Sequence, residues 1–410
     1  MLVNKSTLLS LDAFSKTQED VRIRTKTGAI ISISCILVTV LLLLNEWIQY
    51  SQIVTRPTLV VDRERNLKLD LNLDISFPSM PCDILNLDIL DDAGDLQLDI
   101  LNQGQFTKTR LDRMGNVIEV SKFKIDDDVA EFPPNDENYC GPCYGSIDQS
   151  GNDKIESVKD KICCQTCEQV REAYLKAGWA FFDGKNIEQC EREGYVTKIN
   201  KHLNEGCRVK GNVLLNRIQG NIHFAPGKAF QNVKGHFHDS SLYETSPDLN
   251  FNHIIHHLSF GKTIEQLAQL RGATVATSPL DGQQISPSFD SHLYRYSYFV
   301  KIVPTRYEYL DKMISETAQF SATFHQSLVT GERDPENPNI KYSRTGLPGL
   351  FIYFEMSPLK IINTEQHFKS WSGVFLHCIT SIGGILAVGT ILDKFFYKAQ
   401  RTVINRKSTN

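Results

Sequence analysis

Two apolar runs, one towards each end, constrain what this chain can become more than any other feature. Between Thr27 and Asn45 no residue is charged, and positions 29–44 read AIISISCILVTVLLLL, about the length a helix needs to cross roughly 30 Å of hydrocarbon. The run starts late for a signal peptide, is longer than the usual apolar stretch of one, and ends in Asn45-Glu46-Trp47 where a small-residue cleavage site would stand. It is therefore expected to stay as an anchor. From Ser370 to Leu392 there is one histidine, His377, and no Asp, Glu, Lys or Arg, with Gly383, Gly384, Ala387 and Gly389 close together. This run also reads as a span. A mean hydropathy of −0.26 argues against further spans. The net charge of −4, with 41% hydrophobic residues, excludes a disordered acidic chain and a nucleic-acid binder that depends on overall basicity.

Basic residues set the orientation. Arg22, Arg24 and Lys26 precede the first run, and Lys394, Lys398, Arg401, Arg406 and Lys407 follow the second, so both termini are expected in the cytosol and the middle of the chain in a lumen. Of ten cysteines, Cys35 and Cys378 lie in the spans. The other eight, Cys82, Cys140, Cys143, Cys163, Cys164, Cys167, Cys190 and Cys207, are an even set in the lumenal part and candidates for disulfides.

Within that part, Leu67, Leu69, Leu71, Leu73, Ile75 and Phe77 alternate with mostly polar neighbours, the period-two pattern of a strand with one face on a core. Leu85, Leu87 and Ile89 repeat it, Asp91 to Asp95 make a turn, and Leu96, Leu98 and Ile100 resume it as a hairpin. Strand-like segments return at 209–224, 254–260, 294–303, 317–324 and 350–356. Between the two β blocks, 163–182 and 186–203 have helical composition punctuated by Gly184 and Gly194. The expected fold is two transmembrane helices flanking a mainly β lumenal domain, an antiparallel two-sheet sandwich, with an inserted cysteine-rich helical module. The boundaries are a cytosolic tail 1–26, a span 27–45, sandwich 46–134, insertion 135–206, sandwich 207–369, a span 370–392 and a cytosolic tail 393–410. A loop is expected at 331–349.

Three chemistries compete for the cysteines. Cys140-Gly141-Pro142-Cys143 carries the filling of a redox-active thioredoxin pair, but the loop-like residues after it lack the helix that mechanism needs. The spacing through Cys164 and Cys167 approximates a four-thiolate zinc ribbon. Structural disulfides are the expectation in an oxidising lumen, with no bound metal and no cofactor. Histidines form the second cluster: His236 and His238 fall on one side of a strand, and His253, His256 and His257 crowd nearby. They can simply be hydrogen-bonded, sense pH or bind a metal, and stand as pH-sensing candidates. In the second run Gly383 and Ala387, four apart, form a small-residue stripe on which another helix can pack. No phosphate loop, nucleophile elbow or zincin helix occurs. No enzyme activity is expected; a membrane-tethered thiol-disulfide oxidoreductase using Cys140 and Cys143 is the alternative.

The strings FPSMPCDILNLDILDDAG, CGPCYG, CCQTCEQVREAYLKAGWAF, GNIHFAPGK, HFHD, NHIIHHLSFG, PGLFIYFEMSPLKI and ITSIGGILAVGTILDKFFYKAQR closely resemble the ER-vesicle (Erv) and ER-Golgi intermediate compartment (ERGIC) family, and within it the larger partner, which carries the cysteine-rich insertion. The resemblance implies a non-enzymatic cargo receptor that pairs with the smaller family member, cycles between ER, intermediate compartment and early Golgi membranes in COPII and COPI vesicles, and retrieves escaped ER residents, binding them better in acid. It implies no nucleic-acid partner. It also implies that Phe396 and Tyr397 act as an export signal, whereas position alone reads them as an interfacial aromatic belt.

Overall fold

A computed structural model describes residues 26–63, 68–97, 105–122, 139–155, 157, 160–232, 235–261, 278–286, 291–329 and 346–408. The expected tail 1–25, the strand residues Leu98 and Ile100, and most of the 331–349 loop lie outside them. The chain divides into two units, Met1–Arg56 with Thr364–Asn410, and Pro57–Asn363.

The first unit is a helix pair, Lys26–Ser51 and Trp371–Ser408. Stretches Gly28–Ser51 and Trp371–Ala399 are long and apolar enough to cross a membrane. They meet along a seam with a helical period, Ile31, Cys35, Thr39 and Leu43 on one side and Val374, Cys378, Ser381, Ile385 and Gly389 on the other, the residues least exposed in each run. At one end Lys369 pairs with Glu46 at 2.5 Å, and Tyr50 stacks on His367 at 4.5 Å.

The second unit is built on strands. Before the cysteines come β1 (Ile53–Val61), β2 (Lys68–Phe77), β3 (Leu85–Asp91), β4 (Gln105–Leu111) and β5 (Val117–Lys122). After them follow β6 (Gly206–Asn216), β7 (Gly220–Pro226), β8 (Ala229–Asn232), β9 (Gly235–His238), β10 (His253–Phe260) and β11 (Gln284–Ile285). The last four are β12 (Tyr294–Glu308), β13 (Ile314–Leu328), β14 (Gly349–Met356) and β15 (Leu359–His367). One sheet runs β1-β15-β12-β14-β7-β3 with β13 on β12, and the other runs β11-β10-β2-β6-β4-β5. Leu69, Leu71, Leu73, Ile75 and Phe77 of β2 all face the core, so the alternation of the sequence is the inner face of the second sheet. Ile222 and Phe224 of β7 answer from the first sheet, Phe224 lying 5.0 Å from Phe77 between ring centroids. Disulfide Cys82–Cys207 joins the loop after β2 to β6.

Three features depart from the expectation. The strand-like run 209–224 is two strands, because residues 217–219 turn the chain from one sheet into the other. The first sheet is mixed, since β12 and β14 are parallel, β14 lying on the side of β12 opposite β13. β3 also takes β7 as a ladder partner, beside the expected hairpin at Asp91, which among the described residues carries the bridge Leu90 to Leu96 and the Gln97 amide donating to the Ile89 carbonyl at 2.8 Å.

The insertion contains α1 (Cys167–Ala177), α2 (Glu188–Arg192) and α3 (Tyr195–His202). Thr166 caps α1 by accepting from the Gln169 amide at 3.2 Å, and Gly178 ends it at φ 75°, a left-handed position that glycine adopts without strain. Gly194 at φ 72° separates α2 from α3. The helices are thus shorter than the composition indicated, because the chain turns at each glycine. One further short helix, α4 (Ser241–Thr245), follows β9.

Candidate functional site

Three disulfides define the module: Cys140–Cys163, Cys143–Cys164 and Cys167–Cys190. Cys140 and Cys143 are therefore bonded to other partners, not to each other, and the four sulfurs of the ribbon spacing are all consumed. The dithiol couple of the oxidoreductase alternative is not assembled. Adjacent Cys163 and Cys164 pull the 140–143 segment against 162–165 so closely that a Cβ on Gly141 would lie 2.1 Å from the Cys164 carbonyl oxygen. The wholly buried Gln189 satisfies that crossing, its Nε2 donating to the carbonyls of Cys164 at 2.7 Å and Pro142 at 2.9 Å. Val170, Ala173, Phe181 and Ile187 pack among the half-cystines in a core of their own. Outside it, Trp179 and Phe182 are 46% and 47% exposed. The module is tied to the β domain by the Lys228–Glu168 ion pair, by Lys198 on Asp83 at 3.4 Å and by the Phe182 amide donating to Ser241 Oγ at 2.9 Å.

The five histidines singled out in the sequence occupy four places. His253 is buried, with Nδ1 2.9 Å from the Phe251 carbonyl and Nε2 2.9 Å from the Tyr298 hydroxyl. Burial pushes it down to about 4, only partly offset by the backbone hydrogen bond. His256 is exposed, with Nε2 2.8 Å from Ser76 Oγ. His257 has Nδ1 2.9 Å from Asp281 Oδ2. A β-bulge at this point in the β10–β2 ladder separates these neighbours.

His236 and His238 sit on β9, their side chains on one face, and meet two residues that the sequence pattern did not single out, Asp88 and His223. Asp88 on β3 and His223 on β7 are direct cross-strand partners. Both lie on the sheet face opposite the core, yet both are buried because the β8–β9 hairpin covers them. From Asp88 Oδ2 the Nε2 atoms of His238, His236 and His223 are 3.2, 3.5 and 3.7 Å away. Burial raises the Asp88 carboxyl, but hydrogen bonds to His236 and His238 overcome it and hold the group well below the usual carboxylate range. Burial first, then the neighbouring imidazole of His238, pushes His223 down to about 3. The available signal was the polar residue between Ile222 and Phe224 and the one between Leu87 and Ile89, each on a strand face that something had to cover.

In the last helix, Gly383 and Ala387 face away from the first helix, and nothing lies within 4 Å of a Cβ placed on Gly383. The close approach is instead at Gly389, where a Cβ would lie 2.8 Å from Cys35 Sγ. Phe396 and Tyr397 are exposed on the same helix, which continues unbroken to Ser408.

A family model described as endoplasmic reticulum vesicle transporter matches residues 143–393, and one for the Endoplasmic Reticulum-Golgi Intermediate Compartment (ERGIC) matches residues 8–98. The ER-derived vesicles protein ERV46 of Saccharomyces cerevisiae is 60% identical, over 99% of this chain and 100% of its own. The probable ER-Golgi intermediate compartment protein 3 of Dictyostelium discoideum is 34% identical, over 97% of each chain. The crystal structure of Erv41p aligns with 75% of this chain and 99% of its own at 17% identity and a TM-score of 0.37. The chain belongs to the Erv/ERGIC family of ER–Golgi transport membrane proteins, and within it to the Erv46 type.

Proposed function

We propose that this chain is a membrane cargo receptor that cycles between ER and Golgi and, paired with a smaller member of its family, retrieves ER residents that have escaped. The observation that carries this reading is the disulfide-braced module. Its core is separate from that of the β domain, so the sandwich does not need it, and it holds two large aromatics, Trp179 and Phe182, in water on a rigid frame. Rigid, exposed aromatics are the side chains that anchor binding surfaces. Basic residues beyond both spans favour cytosolic termini, with Phe396 and Tyr397 available to coat components. The outward Gly383–Ala387 stripe suits a helix of the smaller subunit. Acid-favoured cargo binding is assigned to the histidine candidates, of which exposed His256 and half-buried His257 lie beside the Asp74, Arg208 and Lys210 group and Asp281, where acidic cargo can meet them.

The test replaces Trp179 and Phe182 together with Ser in cells and follows secretion of an ER resident that depends on the receptor. The variant is expected to pair with the smaller subunit and leave the ER normally while the resident is lost to the medium. Full retention of the resident would remove the module from cargo recognition.

A further inference from the structure

Asp88, His223, His236 and His238 bring one ligand atom each to a common point, all four within 4.8 Å of one another. We propose that they form a closed four-coordinate site for a divalent cation of the zinc class, bound by Asp88 Oδ2 and by Nε2 of the three histidines. On the sequence alone, no bound metal is expected.

The spacing fits. A tetrahedral zinc with bonds of roughly 2.0–2.1 Å sets its ligand atoms about 3.3 Å apart. Here the Nε2 atoms of His236 and His238 are 2.9 Å apart, those of His223 and His238 are 3.2 Å apart, and the carboxylate oxygen lies 3.2 to 3.7 Å from all three.

The hydrogen bonding fits as well. His223 Nδ1 faces Asn221 Oδ1 at 2.9 Å and His238 Nδ1 faces the Gly227 carbonyl at 3.5 Å. With a cation bound, those oxygens accept from Nδ1 of both imidazoles and leave the Nε2 lone pairs for the metal. Without one, three Nε2 atoms and a carboxylate oxygen converge on one spot and share it through hydrogen bonds. A proton on His236 Nε2 serves one of these directions; a metal serves all of them. The outer contacts are those that orient metal ligands: two histidines donate their other N–H, and Asn86 Nδ2 donates to Asp88 Oδ2 at 2.8 Å. His236 Nδ1 is buried with no partner, which makes His236 the least anchored ligand.

Charge and burial select the class. The side chains of Asp88, His223, His236 and His238 are 4%, 2%, 7% and 0% exposed, which leaves no open position for a reacting water. A buried carboxylate ringed by three imidazoles offers a divalent cation one anionic oxygen and three nitrogens. A donor set of three nitrogens and one oxygen suits zinc better than calcium or magnesium. The role is structural. The β8–β9 hairpin is a separate two-stranded sheet, and the cation would tie it to β3 and β7. The hairpin begins one residue after Lys228, which pairs with Glu168 of the cysteine-rich module, so the same cation would steady the base of that module.

The experiment uses the full chain purified in detergent. Elemental analysis is expected to find about one zinc per chain. After chelation, adding back Zn²⁺ should raise the unfolding temperature by about 5 °C or more, and adding Co²⁺ alone should give the visible ligand-field bands of a tetrahedral site. His236→Gln should weaken Zn²⁺ binding at least about tenfold, and Asp88→Asn should remove the cobalt bands. His257→Gln and the joint change of Cys35 and Cys378 to Ser should leave the metal in place. If the ligand variants fail to fold, the parent chain still decides: no zinc as purified, no thermal shift and no cobalt bands would overturn the site. Zinc bound by folded His236→Gln and Asp88→Asn with the parent's affinity in chelator competition would overturn it too, by placing the metal elsewhere.

Discussion

Phe77 of the sandwich is wholly buried against Phe224, Phe251 and the His253 ring, while Phe181 of the module packs between Tyr174 and Tyr195 in a small core otherwise made largely of half-cystines. The sandwich draws on two full sheets of inward-facing side chains. The module has a few apolar side chains, too few to offset its chain entropy without cross-links. The large core tolerates one structural disulfide as an addition; the small one depends on three. The second arrangement leaves Trp179, packed edge-on against Tyr174, with 46% of its surface in water.

The largest expected break in this contrast comes from the sandwich. Phe77→Ala should cost about 3–5 kcal/mol, visible as a lower denaturation midpoint of the β domain with the module's disulfides still closed. Should the midpoint stay put, the sandwich core is not where the stability lies. Next, changing Cys143 and Cys164 together to Ser removes a cross-link of sequence separation 21, worth about 3 kcal/mol by loop closure. Limited proteolysis should then cut between residues 139 and 206 while the β strands stay protected. Cleavage spread equally over both regions would show the two cores to be one cooperative unit.

Acid should act on the sandwich rather than the module. The folded value of His253 is about 4, below the ordinary value of about 6.5, so the unfolded chain binds the proton more readily. Stability is complete above about pH 6.5 and is lost as pH falls towards 4, with a His253 share of about 2 kcal/mol between pH 7 and pH 5. His253→Gln should flatten that part of the slope in denaturant titrations at the two pH values. An unchanged slope would place the proton uptake elsewhere. The smallest effect sharpens the module's side: Thr166→Ala removes the cap of α1 and should cost about 1 kcal/mol, read as faster proteolysis within the module and no change in the sandwich midpoint.

Much of this molecule is legible in its residues alone. Alternation in β2 marks both the strand and its buried face, because a strand on a core must be apolar on every second residue. The two charge-free runs mark the helix pair, because hydrocarbon leaves the backbone no other partner than itself. The eight lumenal cysteines are identifiable as a set, though not their pairing, since several connectivities satisfy the same spacing. The histidines show the limit more sharply. His236 and His238 are visible as neighbours on one strand, but Asp88 and His223 are not, because their partnership rests on β3 pairing with β7 and on a hairpin folding over that pair.

The sequence by itself determined which faces are apolar, where the chain can cross a membrane and which cysteines stand in the oxidising compartment, since each of these follows from local composition and period. Tertiary structure alone decided what covers each face. It put Gly389 rather than Gly383 against the first helix, split the five histidines into four environments, and closed a polar patch of β3 and β7 beneath β9. Such contacts join residues more than a hundred positions apart, and side-chain periodicity reports the direction a residue points but not what it will meet there.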